Sequence, residues 1–109
     1  MAQFDVFRNS GKNRAQIPFV VVVQSSYYEK SRRRVVVPLV AQDELNKAVE
    51  LPVTAVNPVF TVAETQVVLN PFEIVSIPLE ALGEYVGSLA QQSDAILAAL
   101  DELFSRAWL

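Results

Sequence analysis

The densest cluster of reactive groups in the sequence is Arg32-Arg33-Arg34, and the planar guanidinium fork suits carboxylate or phosphate partners. On an extended strand, alternation sends Arg33 to the opposite face from Arg32 and Arg34, so at most two of the three act together. Three readings stay open for them: a solvated loop, a docking point for an acidic protein, or a nucleic-acid contact. Tyr27-Tyr28 just upstream serves either of the last two, because a tyrosine pair stacks bases or half-buries against a protein. Ser25 and Ser26 with Lys30 supply the atoms of a Ser-Lys couple, but their spacing is that of ordinary loop composition. The carboxylates Glu64, Glu73, Glu80 and Glu84 are scattered singly, with no D-x-D or E-x-x-H grouping to hold a metal or form an acid/base pair. Three glycines cannot furnish a phosphate-binding loop, and the chain has no His and no Cys. That composition removes the commonest general base, thiolate nucleophiles, zinc-thiolate sites and disulfides. The expectation is a protein with no catalytic residue, no metal and no cofactor. A last feature is the ending Ala107-Trp108-Leu109, which puts a large aromatic and a leucine where chains are normally polar; tryptophan there points to an interface.

These groups must be carried by a mainly β chain. Phe4 to Arg8 reads as a strand, broken at Asn9-Ser10-Gly11-Lys12-Asn13, whose small polar residues take turn dihedrals. Ile17 to Gln24 and Val35 to Val40 are apolar on both faces and therefore belong at the centre of a sheet. Ala41 to Glu50 has helix formers, with Leu45 and Val49 four apart, stopping at Leu51-Pro52, which predicts one or two helical turns. Short β-branched runs follow at Val53 to Val56, Val59 to Val62, Gln66 to Leu69 and Glu73 to Leu79. Pro58, Pro71 and Pro78 punctuate them, and several short strands with regular turns favour a small barrel. Ser88-Leu89-Ala90-Gln91 has capping-box spacing, predicting a helix from about Leu89 to Arg106. Its apolar stripe is Leu89, Ile96, Leu100, Leu103 and Ala107, flanked by Leu97 and Phe104.

At 109 residues the chain is expected to be one domain, with a barrel over about 1–80 and the helix over about 89–106. The longest apolar runs, Phe19 to Val23 and Val35 to Leu39, fall far short of the roughly 20 residues that span a bilayer. Nothing resembles an export signal, so no membrane association and a cytoplasmic location are expected. Residues 1–47 hold eight Lys/Arg against four Asp/Glu, and residues 48–109 hold one against eight. That division gives either a dipolar surface able to steer a charged partner or ordinary solvated faces. The net charge of −3 argues against direct nucleic-acid readout, which needs a dominant basic face.

Six pieces in order resemble the CcdB toxins of bacterial toxin–antitoxin modules: Gln3-Phe4-Asp5-Val6-Phe7, Val23-Gln24-Ser25, Arg33-Arg34-Val35-Val36-Val37-Pro38-Leu39, Val75-Ser76-Ile77-Pro78-Leu79, Leu82-Gly83-Glu84-Tyr85-Val86-Gly87-Ser88-Leu89, and the closing amphipathic helix. The resemblance implies an SH3-like small barrel of the CcdB/MazF type with a C-terminal helix. It implies a homodimer that binds the A subunit of DNA gyrase and traps the gyrase–DNA cleavage complex, and that an acidic CcdA-like antitoxin neutralises. By position, the gyrase contacts it implies are Tyr27, Tyr28, Asp101 and Phe104, with Trp108 and Leu109 at the end of the chain. Arg33 and Arg34 are the candidates for the acidic antitoxin. The family's helix usually closes with Phe-Trp-Gly-Ile, whereas here Phe104 is followed by Ser105, Arg106 and Ala107, and the tryptophan comes at 108. The stretch from about Asn57 to Thr65 is also longer than is usual in the family, as an extended hairpin would make it. Two alternatives are a MazF-like endoribonuclease toxin, using Arg33 or Arg34 beside a base, and a non-toxic homologue that only binds antitoxin.

Overall fold

A computed structural model of the chain describes residues 2–42 and 55–105. The expected helical turns over Ala41 to Glu50 lie almost wholly outside these residues, as do Arg106, Ala107, Trp108 and Leu109. Seven strands follow in order: β1 (Asp5–Asn9), β2 (Phe19–Val22), β3 (Arg33–Ala41), β4 (Val59–Val62), β5 (Thr65–Leu69), β6 (Val75–Pro78) and β7 (Leu82–Ser88), closed by helix α1 (Ser93–Ser105). They form one antiparallel, curled half-barrel sheet in the order β4-β5-β3-β2-β1-β7, with β6 also on β3. No helix is long and apolar enough to cross a membrane.

The two strands that are apolar on both faces do sit in the middle, and the sheet is covered on both sides. On one face Val6, Phe19, Val21, Val37 and Leu39 join Phe60, Val67 and Leu69 in the larger core. On the other, Phe7, Val20, Val22 and Val36 make a smaller one with Ile77 and Leu82. Neighbours in sequence alternate between the two, as the period of a strand requires. Helix α1 lies over the larger core through Ile96 and Ala99.

Pro38 stands inside a central strand, where the missing N–H would ordinarily break the ladder. Its position explains the tolerance. Arg33 to Val36 of β3 pair with β6, and Leu39 to Ala41 pair with β5, so the proline falls where β3 passes from one partner to the other. Its carbonyl still accepts from the Asn70 N–H at 3.0 Å. The handover lets the sheet curl.

The extended hairpin is β4–β5, with Val62 opposite Thr65 and a two-residue turn at Ala63-Glu64. Both turn residues have positive φ, 48° and 66°, the geometry of the tight hairpin turns that favour Asn-Gly. A side chain in this left-handed region costs roughly 1–2 kcal/mol per residue. Replacing Ala63→Asn with Glu64→Gly is therefore expected to raise unfolding stability by about 1 kcal/mol. Urea melts of the two proteins check it through the midpoint.

The helix begins later than the capping-box spacing predicts. The Ser88 hydroxyl accepts from the Ala90 N–H at 3.1 Å, so the cap is there, but it closes a 3-10 turn over Ala90–Gln92. The cause is tertiary. The Leu89 N–H donates to the Phe4 carbonyl at 2.9 Å and its side chain is buried in the larger core, so Leu89 stays on the sheet and the α-helix starts at Ser93.

Candidate protein-docking site

Tyr27 and Tyr28 stand in a 3-10 turn, Ser26–Tyr28, on the connection between β2 and β3. They are 85% and 61% exposed and meet edge to face with ring centroids 5.0 Å apart. Two large aromatics held in water by nothing but each other form an anchor for a protein partner.

The loop below them is tied down at every level. The Ser25 hydroxyl accepts from the Tyr27 N–H at 3.1 Å. Gln24 spans the mouth of the loop: its Oε1 accepts from the Val35 N–H at 3.0 Å and its Nε2 donates to the Tyr28 carbonyl at 3.1 Å. From the N-terminal segment, Gln3 donates through its backbone N–H to the Ser26 hydroxyl at 3.2 Å and through Nε2 to the Val23 carbonyl at 3.0 Å. These bonds supply a physical reason for Gln3 and for the Val23-Gln24-Ser25 motif. The same N-terminal segment reaches α1, because the next carbonyl, that of Phe4, holds Leu89. Phe4 itself is buried with φ of 73°, a strained backbone that the bonds on both sides fix in place.

On α1, Leu97, Asp101 and Phe104 are exposed and share one face by their spacing of four and three. Phe104 is 60% exposed. The inward face is Ile96 and Ala99 with Leu100 and Leu103 half-buried, so Leu97 and Phe104, which flank the stripe in sequence, turn to solvent. Tyr27 with Tyr28 and Asp101 with Phe104 thus sit on two different elements that the segment Gln3–Phe4 ties together. Trp108 and Leu109 lie outside the described residues. Phe72, 61% exposed, adds an apolar group that sequence reasoning missed. It sits in a 3-10 turn, Pro71–Glu73, that packs against α1. Its only sequence signal was a lone aromatic after a proline.

The three arginines separate as alternation requires. Arg32 precedes the strand and is exposed, as is Arg33, whose Nε donates to the Ser76 hydroxyl at 2.9 Å and Nη2 to the Ser76 carbonyl at 2.7 Å. Arg34 turns inward and is 5% exposed. Its Nη1 donates to the Ser31 and Arg33 carbonyls at 2.7 and 2.9 Å, and its Nη2 to the Glu29 carbonyl at 2.7 Å. A guanidinium used this way is not free to meet an antitoxin or a base. Lys30, Arg32 and Arg33 remain as an exposed cationic strip with no carboxylate partner among the described residues. Arg8 is offset by Glu84 at 3.1 Å. Among the described residues no group of acidic side chains could hold a metal ion.

The profile of the family described as CcdB protein matches residues 3–105, taking in the tyrosine loop, the arginines and the whole of α1. The chain belongs to the CcdB family. Membership makes it a toxin of the CcdB type, the toxic half of a toxin–antitoxin pair. No curated protein matches the chain. The matched span ends at Ser105, so Trp108 and Leu109 stand beyond it, while the family's helix positions at Asp101 and Phe104 stand within it.

Proposed function

We propose that this CcdB-family toxin docks on the A subunit of DNA gyrase through Tyr27 and Tyr28 together with the Asp101–Phe104 face of α1, and that it traps gyrase on cleaved DNA without catalysing a reaction itself. The observation that carries this reading is the exposed, mutually packed tyrosine pair on a loop that three separate side chains brace, in a chain that matches the CcdB family almost end to end. A homodimer brings two such surfaces to the enzyme, and Trp108 with Leu109 extends the α1 side of each. The target places the protein in the cytoplasm. Titrating the purified A subunit with the chain, followed by calorimetry, tests the docking step. Saturable binding is the expected result, and none at tens of micromolar protein removes gyrase as the target.

The antitoxin's acidic segment docks on the strip of Lys30, Arg32 and Arg33, with Arg34 supporting the loop from beneath. Charge complementarity of this kind acts chiefly on the association rate and is screened by salt. Arg33→Glu is expected to weaken binding of the cognate antitoxin by about tenfold at low salt, and the difference should shrink as ionic strength rises. An equal loss at all salt concentrations contradicts the electrostatic reading. The RNA-cleaving alternative needs an arginine free beside a base, and the bonds made by Arg34 leave only Arg33 on that strand to supply it.

A further inference from the structure

The segment from Gln24 to Arg32 carries serines, charges and two exposed rings, a composition that ordinarily gives a mobile loop tip. Two side chains counter that tendency from outside the turn. Strand pairing of β2 with β3 ends at Val22 opposite Val36, followed by a bond from the Val23 N–H to the Val35 carbonyl at 3.0 Å. Beyond that point the Gln24 amide takes over, accepting from Val35 and donating to Tyr28. It is a ladder rung made by a side chain. Arg34 then clamps the descending limb through the Glu29 and Ser31 carbonyls.

Arg34 is an expensive choice for stability alone. Among the described residues its buried guanidinium has no carboxylate partner and is opposed only by carbonyl dipoles, and an apolar side chain of similar size often serves a core as well or better. What an apolar residue could not do is hold three carbonyls of one short stretch with a planar fork. The group fits a requirement for a defined loop shape.

We propose that Gln24 and Arg34 are positioning residues: they hold Tyr27 and Tyr28 in the pose that meets the partner, so that docking does not have to order the loop. The inference rests on the reading of the tyrosine pair as the gyrase contact. A loop that samples its docking pose only part of the time lowers apparent affinity by that fraction. This loss appears in the association rate, because once docked the contacts are those of the native chain. Loss of a contacting ring instead accelerates dissociation. The two roles therefore leave different kinetic marks.

The test uses the full chain and its variants Gln24→Ala, Arg34→Met, Arg34→Lys and Tyr27→Ala/Tyr28→Ala. Hydrogen exchange is read at the Tyr28, Glu29 and Ser31 amides, which bond to the Ser25, Ser26 and Tyr28 carbonyls, and binding kinetics on the immobilised gyrase A subunit. Gln24→Ala and Arg34→Met are expected to speed exchange at those three amides about tenfold or more, with the amides of β2, β3 and β5 unchanged. Their association rate falls about tenfold at a dissociation rate within about twofold of the native one. Arg34→Lys keeps the charge but not the fork and falls between native and Arg34→Met. The tyrosine variant shows the reverse kinetic pattern. Gln24 is only half-buried, so its variant remains informative if Arg34→Met does not fold. Unchanged exchange at the loop overturns the proposal, as does a freed loop that associates at the native rate. If the native chain does not bind the A subunit, the functional reading falls, and the exchange arm alone decides whether these side chains order the loop.

Discussion

Replacing Tyr27 and Tyr28 together by alanine will weaken binding to the gyrase A subunit by about 100- to 1,000-fold while leaving the unfolding midpoint nearly unchanged. Anchoring aromatics at the centre of an interface commonly contribute about 2 kcal/mol or more each on truncation, and roughly 1.4 kcal/mol is a factor of ten. The two rings pack on each other rather than on the core, so their losses will not add simply, which sets the upper limit. Stability is spared because both rings are exposed and neither belongs to either apolar cluster; surface changes of this kind usually stay within about 0.5 kcal/mol. Surface-immobilised binding and a urea melt on the same preparation read both quantities. A large stability loss with native affinity would place the rings in the fold and not in the docking surface.

The second large effect lies in the opposite part of the sheet. A Cβ added to Gly83 would stand 2.5 Å from the Arg8 carbonyl oxygen and 3.2 Å from its carbon, and both obstacles are backbone. The closeness arises because β7 meets β1 with register shifts on either side of Phe7, and such irregularities kink a strand toward its neighbour. Gly83→Val is therefore expected to cost about 3 kcal/mol, the upper range for inserting atoms into a packed site. The damage will not stay local, because β7 runs directly into Leu89 and the root of α1. Urea denaturation should show a lower midpoint with an unchanged slope. Gly87→Ala is the matched control: nothing lies within 4 Å of its added Cβ, and its midpoint should hold. Equal tolerance of both substitutions would contradict the close approach of β7 to β1.

Patterns confined to one element were legible in the sequence. Val20 to Val22 and Val35 to Val40 announced central strands because both faces are apolar, and Val59 to Val62 with Gln66 to Leu69 announced a hairpin. What sequence could not show were the partners of polar side chains, since these are set by the fold. Gln3 reaches residues more than twenty positions away, and nothing in an R-R-R run says that the third guanidinium will turn inward onto carbonyls while the second faces water. The start of α1 was misplaced for the same reason: the cap residue is local, but the Phe4 carbonyl that detains Leu89 comes from the other end of the chain. Of the docking residues, Tyr27, Tyr28, Asp101 and Phe104 were reached through resemblance. The structure adds that all four are exposed and that the segment Gln3–Phe4 ties together the two elements carrying them.

The most direct test of the account is a DNA cleavage assay with purified gyrase, supercoiled plasmid and this protein, run beside the Tyr27→Ala/Tyr28→Ala variant. The account predicts that linear DNA covalently linked to gyrase accumulates with the native chain and falls away with the variant. No cleaved complex with a folded native protein, or equal cleavage by both proteins, would contradict it.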